Sequence, residues 1–145
     1  MLPSLYRRSK GGILDVKKEH EIADSASKRL SVKTSSLSTM ANFLSGGNQQ
    51  KLILCKWLLM DPKVLILDEP TRGIDIGAKW EIYNIIIDLA KQGVGVILVS
   101  SEMEEVINLS DRVMVMCEGQ INGCLSKEDG ITQEKIMALA SEVQK

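Results

Sequence analysis

The stretch Lys63–Ser100 constrains the fold more than any other part of this chain. Val64-Leu65-Ile66-Leu67 is a short, almost wholly apolar run that ends in two carboxylates, Asp68 and Glu69. Such a run reads as a strand buried on both faces of a parallel sheet. Residues 76–91 then change period, with Ala78, Ile82, Ile85, Ile86 and Leu89 recurring on one helical face. Gln92-Gly93 ends that helix, and Val94–Ser100 is a second apolar strand. Strand, helix and strand in this order form a βαβ unit, so the chain is α/β.

The flanks extend the pattern. Residues 1–15 are basic and glycine-punctuated and read as a loop or frayed arm. A helix is predicted from about Val16 to Leu30, with Ile22, Ala26 and Leu30 inward and Lys17, Lys18, Glu19, Glu21 and Lys28 solvated. The lone histidine, His20, falls on this helix as a solvated residue. Residues 31–43 are rich in Ser and Thr and read as a connector. Ser45 is an N-cap for a helix to about Met60, stopped by Asp61-Pro62, with Leu52, Cys55 and Leu59 on one face. After Ser100 come a short helix near 102–108, strand Arg112–Cys117, a Glu118-Gly119 turn and strand 120–125. A closing helix follows over 132–143, with Ile136, Leu139, Ala140 and Val143 on one face. Met103, Met114 and Met116 read as core filler.

Bulk properties narrow the function. Eighteen basic residues against nineteen acidic give a net charge of −1, and aromatics make up 3% of the chain. Neither a phosphate-backbone footprint nor a base-stacking surface follows, so no nucleic-acid partner is expected. Cys55, Cys117 and Cys124 are three widely spaced cysteines in apolar surroundings, which suggests neither a disulfide framework nor a metal clamp. A reduced compartment is the default. No run approaches the roughly 20 apolar residues that span a bilayer, though docking onto a membrane partner is open.

The chemistry is concentrated in two places. In Leu44-Ser45-Gly46-Gly47-Asn48-Gln49-Gln50-Lys51, two side-chain-free residues and a serine hydroxyl stand at the mouth of a helix. Uncovered N–H groups at a helix N-terminus, which carries about +0.5 charge, make a seat for phosphate. Some twenty residues on lies the acidic pair Asp68-Glu69. Either segment alone fits an ordinary loop or buried strand. In this order, separated by one helix and a tight turn, they point to nucleotide chemistry.

These residues resemble the ABC-type ATPases. Leu44–Lys51 resembles their signature motif, Val64–Asp68 their Walker B strand, Glu69 their catalytic glutamate, and Arg72-Gly73-Ile74-Asp75 their D-loop. The longer stretch Leu67–Lys79 is similar to the ATPase subunits of ribose, galactose or xylose importers, which fuse two nucleotide-binding domains. The resemblance implies a partial P-loop NTPase domain: a mostly parallel sheet with flanking helices and part of a helical subdomain. Residues 1–60 would be the helical part ending in the signature motif and its helix. Residues 61–145 would hold the Walker B, D-loop and switch regions with a C-terminal hairpin and helix.

Two departures qualify the match. The chain contains no G-x-x-x-x-G-K-[ST] phosphate loop and no Q-loop, so the resemblance implies a fragment of the second domain that lacks the phosphate-loop strand. In the related fold that strand lies between 94–100 and 112–117, so its loss would leave both with open edges and favour a repacked sheet or self-association. Also, Val99-Ser100-Ser101-Glu102 puts Ser101 where the family has its switch histidine, and a serine cannot hold positive charge against a γ-phosphate.

The resemblance further implies ATP and Mg²⁺ in a complete dimeric assembly. Ser45, Gly46 and Gly47 would donate to the γ-phosphate of ATP held by the other domain, with Gln49 near the ribose or phosphate. Asp68 would order Mg²⁺ through water, Glu69 would polarise the attacking water, and Asp75 would span the dimer seam. The partners would be the other nucleotide-binding domain and transmembrane permease subunits, placing the protein in the cytoplasm, peripheral on the inner face of the plasma membrane. A non-catalytic interaction module, or a truncated product without ATPase activity of its own, is the alternative.

Overall fold

The computed structural model describes residues 15–141; the expected N-terminal arm and Val143 lie outside them. In order come α1 (Val16–Arg29), a 3₁₀ turn (Ala41–Phe43), α2 (Gly46–Leu58), β1 (Val64–Asp68), α3 (Ile76–Lys91), β2 (Gly95–Val99), α4 (Met103–Leu109), β3 (Arg112–Cys117), β4 (Gln120–Ser126) and α5 (Gln133–Ser141). Every predicted element within the described residues is present. The architecture is α/β, with β1 paired to β2 and β3 paired to β4 in separate two-stranded sheets. The expected open-edged strands, β2 and β3, therefore share no sheet.

The chain divides into two compact units. One holds the described residues up to Leu65 together with Pro70–Ile97; the other holds Ile66–Glu69 together with the residues from Leu98 onward.

In the first unit, helix starts follow the capping chemistry of the sequence. Asp15 accepts from Lys18 N at 3.1 Å to open α1, and Asp75 accepts from Ala78 N at 2.9 Å to open α3. Helix α3 ends before Gly93, whose φ of +89° is available to glycine at little cost. Leu54 and Cys55 of α2 and Ile82, Tyr83, Ile86 and Leu89 of α3 are buried. Cys55 donates its thiol to Ala26 O at 3.3 Å, and burial pushes its pKa up to about 11, which makes it a packing residue. His20 is exposed, as expected.

Lys51 breaks the sequence-based picture of α2, because it is 2% exposed on the same face as Cys55. Its ammonium donates to Ser31 O at 2.8 Å and to Glu81 Oε2 at 2.7 Å, and Lys33 Nζ lies 3.5 Å from Glu81 Oε1. A buried ammonium must have such partners. The pair ties α2, α3 and the connector together.

The Lys51 hydrogen bond, and then its charge, hold the Glu81 carboxyl below its ordinary 4.5. Its folded-state pKa is depressed, so its stabilisation is present above about pH 4.5 and is lost as pH falls through the folded value. Glu81→Gln is expected to lower stability by about 1 kcal/mol at pH 7, solvent screening of the half-exposed carboxylate keeping the figure small. Thermal melts of both proteins should converge as pH falls below 4.5 and the Glu81 carboxyl takes up its proton, the sign that follows from linkage. A gap that persists there would assign the effect to packing.

Strands β1 and β2 depart from expectation. Leu65 and Leu67 point inward, but Val64 and Ile66 are 56% and 67% exposed, and Ile97 and Val99 of β2 are about half exposed. Strand side chains alternate between faces, so a two-stranded sheet covered on one side leaves every second apolar residue uncovered.

The second unit has its own core. Val113 and Val115 of β3 and Ile136 of α5 are buried, with Met103, Val106, Ile107, Leu125 and Leu139 packed around them. Glu118 and Gly119, with φ of +48° and +80°, make the two-residue hairpin turn. The register slips between Val115 and Met116, and the side-chain amide of Asn122 there donates to Leu139 O at 3.0 Å. Met103 is partly buried against this core, in line with its reading as core filler. Met114 and Met116 are not: with Val113 and Val115 inward, strand alternation turns both methionines outward, 62% and 63% exposed.

Candidate functional site

The Leu44–Lys51 segment folds as a helix mouth. Ser45 is the N-cap of α2, in extended conformation at φ −60° and ψ 155°. An N-cap serine commonly accepts from a backbone N–H of the first turn. Here its side chain makes no such bond. Its hydroxyl instead accepts from Asn48 Nδ2 at 2.9 Å. The first amides of α2 are thus left uncapped by Ser45. Ser45 and Gly46 are exposed, while Gly47 is buried.

The two glycines differ in kind. A Cβ on Gly47 would stand 2.4 Å from the Cβ of Ala78, in the first turn of α3. A Cβ on Gly46 would meet Ile74 Cγ2 at 3.3 Å. Gly47 therefore lets two helix N-termini touch, and Gly46 is the exposed residue of the two. Gln49 turns back into the motif, its Nε2 donating to Leu44 O at 2.8 Å. Asp75 sits at the start of α3 as its cap, exposed, with Ile74 packed beside the Gly46 position.

The acidic end of β1 belongs to the second unit. Asp68 is exposed at the strand terminus. Glu69 takes a left-handed φ of +46°, a conformation that costs a non-glycine residue about 1 kcal/mol and that clusters at functional sites. Its backbone N–H donates to Val99 O at 2.8 Å, and its Oε1 accepts from Ser101 N at 2.9 Å. The structure thus brings Glu69 and Ser101 together, through the main chain of Ser101. Among the described residues no group of three or more His, Cys, Asp or Glu side chains could hold a metal unaided. Asp68, a hard oxygen donor, could join a Mg²⁺ whose other ligands are water and phosphate oxygens.

Three residues in or near these segments escaped the sequence reading. Asn48 bonds Ser45, Lys51 is buried, and Thr71 is 0% exposed. The spacing of Lys51 to Cys55, one turn apart on a buried face, was a usable signal for the second.

The sequence and the fold have known relatives. The family profile described as ABC transporter matches residues 4–72. The chain is 52% identical to the ribose import ATP-binding protein of Bacillus licheniformis, and 51% identical both to that of Bacillus subtilis and to the xylose import ATP-binding protein of Geobacillus kaustophilus. Each match covers 97% of this chain, which spans 28% of the length of those relatives. Among solved structures, a dimeric bacterial ABC transporter cassette superposes with a TM-score of 0.73 at 19% identity, over 86% of this chain and 53% of that one. A metal-chelate type ABC transporter in an inward-facing conformation gives 0.79 at 20% identity, over 94% and 53%. The structural matches carry the fold, the sequence matches carry the kinship, and this chain belongs to the ABC transporter ATP-binding family.

Proposed function

We propose that this chain is part of an ATP-hydrolysing subunit that energises a sugar importer, and that its Leu44–Lys51 segment completes an ATP site held by another nucleotide-binding domain. The observation that carries this reading is the uncapped mouth of α2, where Ser45 and Gly46 are exposed. The sugar-import names of the relatives supply the substrate class.

Residues divide by role. Ser45 and the amides of Gly46 and Gly47 donate to the γ-phosphate as its charge spreads in the transition state. Gln49 holds the motif closed through Leu44 O, and Asp75 both caps α3 and faces the partner domain. Asp68 orients Mg²⁺ through water, the ion supplying charge neutralisation at the phosphates. Glu69 is the water-polarising carboxylate of this domain's own half-site, where Ser101 replaces the imidazole. Membrane attachment in this reading comes through permease partners, since no described helix is long and apolar enough to cross a bilayer.

Alone, the chain has little to hold ATP. Two or three charge-assisted bonds, each about 1.5–3 kcal/mol, give a gross gain of about 3–9 kcal/mol. Association consumes at least ~4 kcal/mol of that. What remains, up to about 5 kcal/mol, corresponds to a Kd of about 0.2 mM at best. Calorimetry with MgATP should therefore detect no tight binding, and a Kd below about 100 µM would contradict this reading.

Function is tested by complementation. The chain is mixed with the portion of the Bacillus subtilis relative lying outside the 140 matched residues, and ATP turnover is measured. Turnover above the sum of the separate parts is expected. A folded mixture without turnover favours the alternative, a non-catalytic interaction module, which the absence of G-x-x-x-x-G-K-[ST] from the sequence motivates.

A further inference from the structure

The carboxamide of Asn48 is oriented by its neighbours. Lys33 N lies 2.8 Å from Asn48 Oδ1, and a backbone N–H can only donate. The atom facing it must be the amide oxygen, which settles which end of the carboxamide is which. The NH₂ end then faces Ser45 Oγ at 2.9 Å, and the serine oxygen must accept. A hydroxyl that accepts there keeps its single proton for another partner.

Two ordered groups fix this geometry from behind. Lys33 belongs to the connector that Lys51 holds through Ser31 O, and the Lys33 ammonium lies against Glu81 of α3. Asn48 itself stands at the third position of α2. The orientation of one serine proton is therefore set by the connector and, behind it, by α3.

We infer that Asn48 is a positioning residue that keeps Ser45 a hydrogen-bond donor toward the phosphate. This deepens the proposed function and rests on it. Asparagine at this position is distinguished from aspartate by one property. An aspartate could still accept from Lys33 N, and a negative charge in the first turn of a helix is favourable to stability. It would, however, accept from the Ser45 hydroxyl, turning the serine proton inward.

Asn48→Asp is therefore expected to leave the thermal midpoint at or above the parent value while lowering kcat in the complemented ATPase by about 100-fold, the loss of one transition-state donor. Asn48→Ala removes the bond to Lys33 as well, so its midpoint should fall, with a smaller loss of turnover because Ser45 can still swing outward. A double-mutant cycle with Ser45→Ala separates positioning from simple charge repulsion. If Asn48 acts through Ser45, the losses of Ser45→Ala and Asn48→Asp are strongly non-additive. Additive losses, or parent-like turnover in Asn48→Asp, would overturn the assignment. If the unmutated chain fails to complement at all, the proposed function itself has failed.

Discussion

Gly47→Ala is expected to destabilise the chain by about 1–3 kcal/mol, the range for overpacking a well-packed contact. The new methyl would lie 2.4 Å from the Cβ of Ala78, and neither carbon can swing away because both are fixed to helical backbone. Only a shift of α2 against α3 relieves the contact. Such a shift also moves the Lys51–Glu81 pair, which bridges the same two helices. Gly46→Ala should be far milder, because its nearest neighbour is a side-chain methyl of Ile74 at 3.3 Å.

Combining Gly47→Ala with Ala78→Gly removes the opposing Cβ and leaves the next atom at 3.7 Å, ordinary contact. The double variant should regain most of the loss, less about 1 kcal/mol for glycine within a helix. Denaturant unfolding of the three variants checks the set. If Gly47→Ala unfolds like the parent, the two helix starts are not in contact as described.

Ser45→Ala in the complemented assembly is expected to lower kcat by about 10²–10³-fold, the effect of deleting one preorganised donor. Glu69→Gln in the same assembly should leave turnover near the parent value. The asymmetry comes from what each residue serves. In the proposed function Ser45 stands at a mouth that serves another domain's nucleotide, whereas Glu69 is assigned to this domain's own half-site. There its carboxylate is tied to the Ser101 amide, and a serine side chain cannot carry charge to the phosphate. Single-turnover and steady-state ATPase measurements on both variants decide the matter. Equal, large losses would mean that both residues serve working sites and that the inferred asymmetry is wrong.

Much was legible in the order of the residues because it depends on local physics. The period of α3, the Glu118-Gly119 turn, the N-cap position of Ser45 and the apolar runs of β1, β2 and β3 all follow from backbone preferences and side-chain spacing within a few positions. The helix mouth at 45–47 and the carboxylates ending β1 were each legible for the same reason, within their own segments.

What tertiary structure alone decided involves residues distant in sequence. That Lys51 is buried depends on Glu81 and Ser31 arriving beside it. That Gly47 must be glycine depends on Ala78, 31 positions away, and that Asn48 turns its NH₂ to Ser45 depends on the backbone of Lys33. The outward turn of Val64, Ile66, Met114 and Met116 reflects how much cover each two-stranded sheet receives. Hydrophobic pattern says that a residue can be buried, but only the presence of a packing partner makes it so.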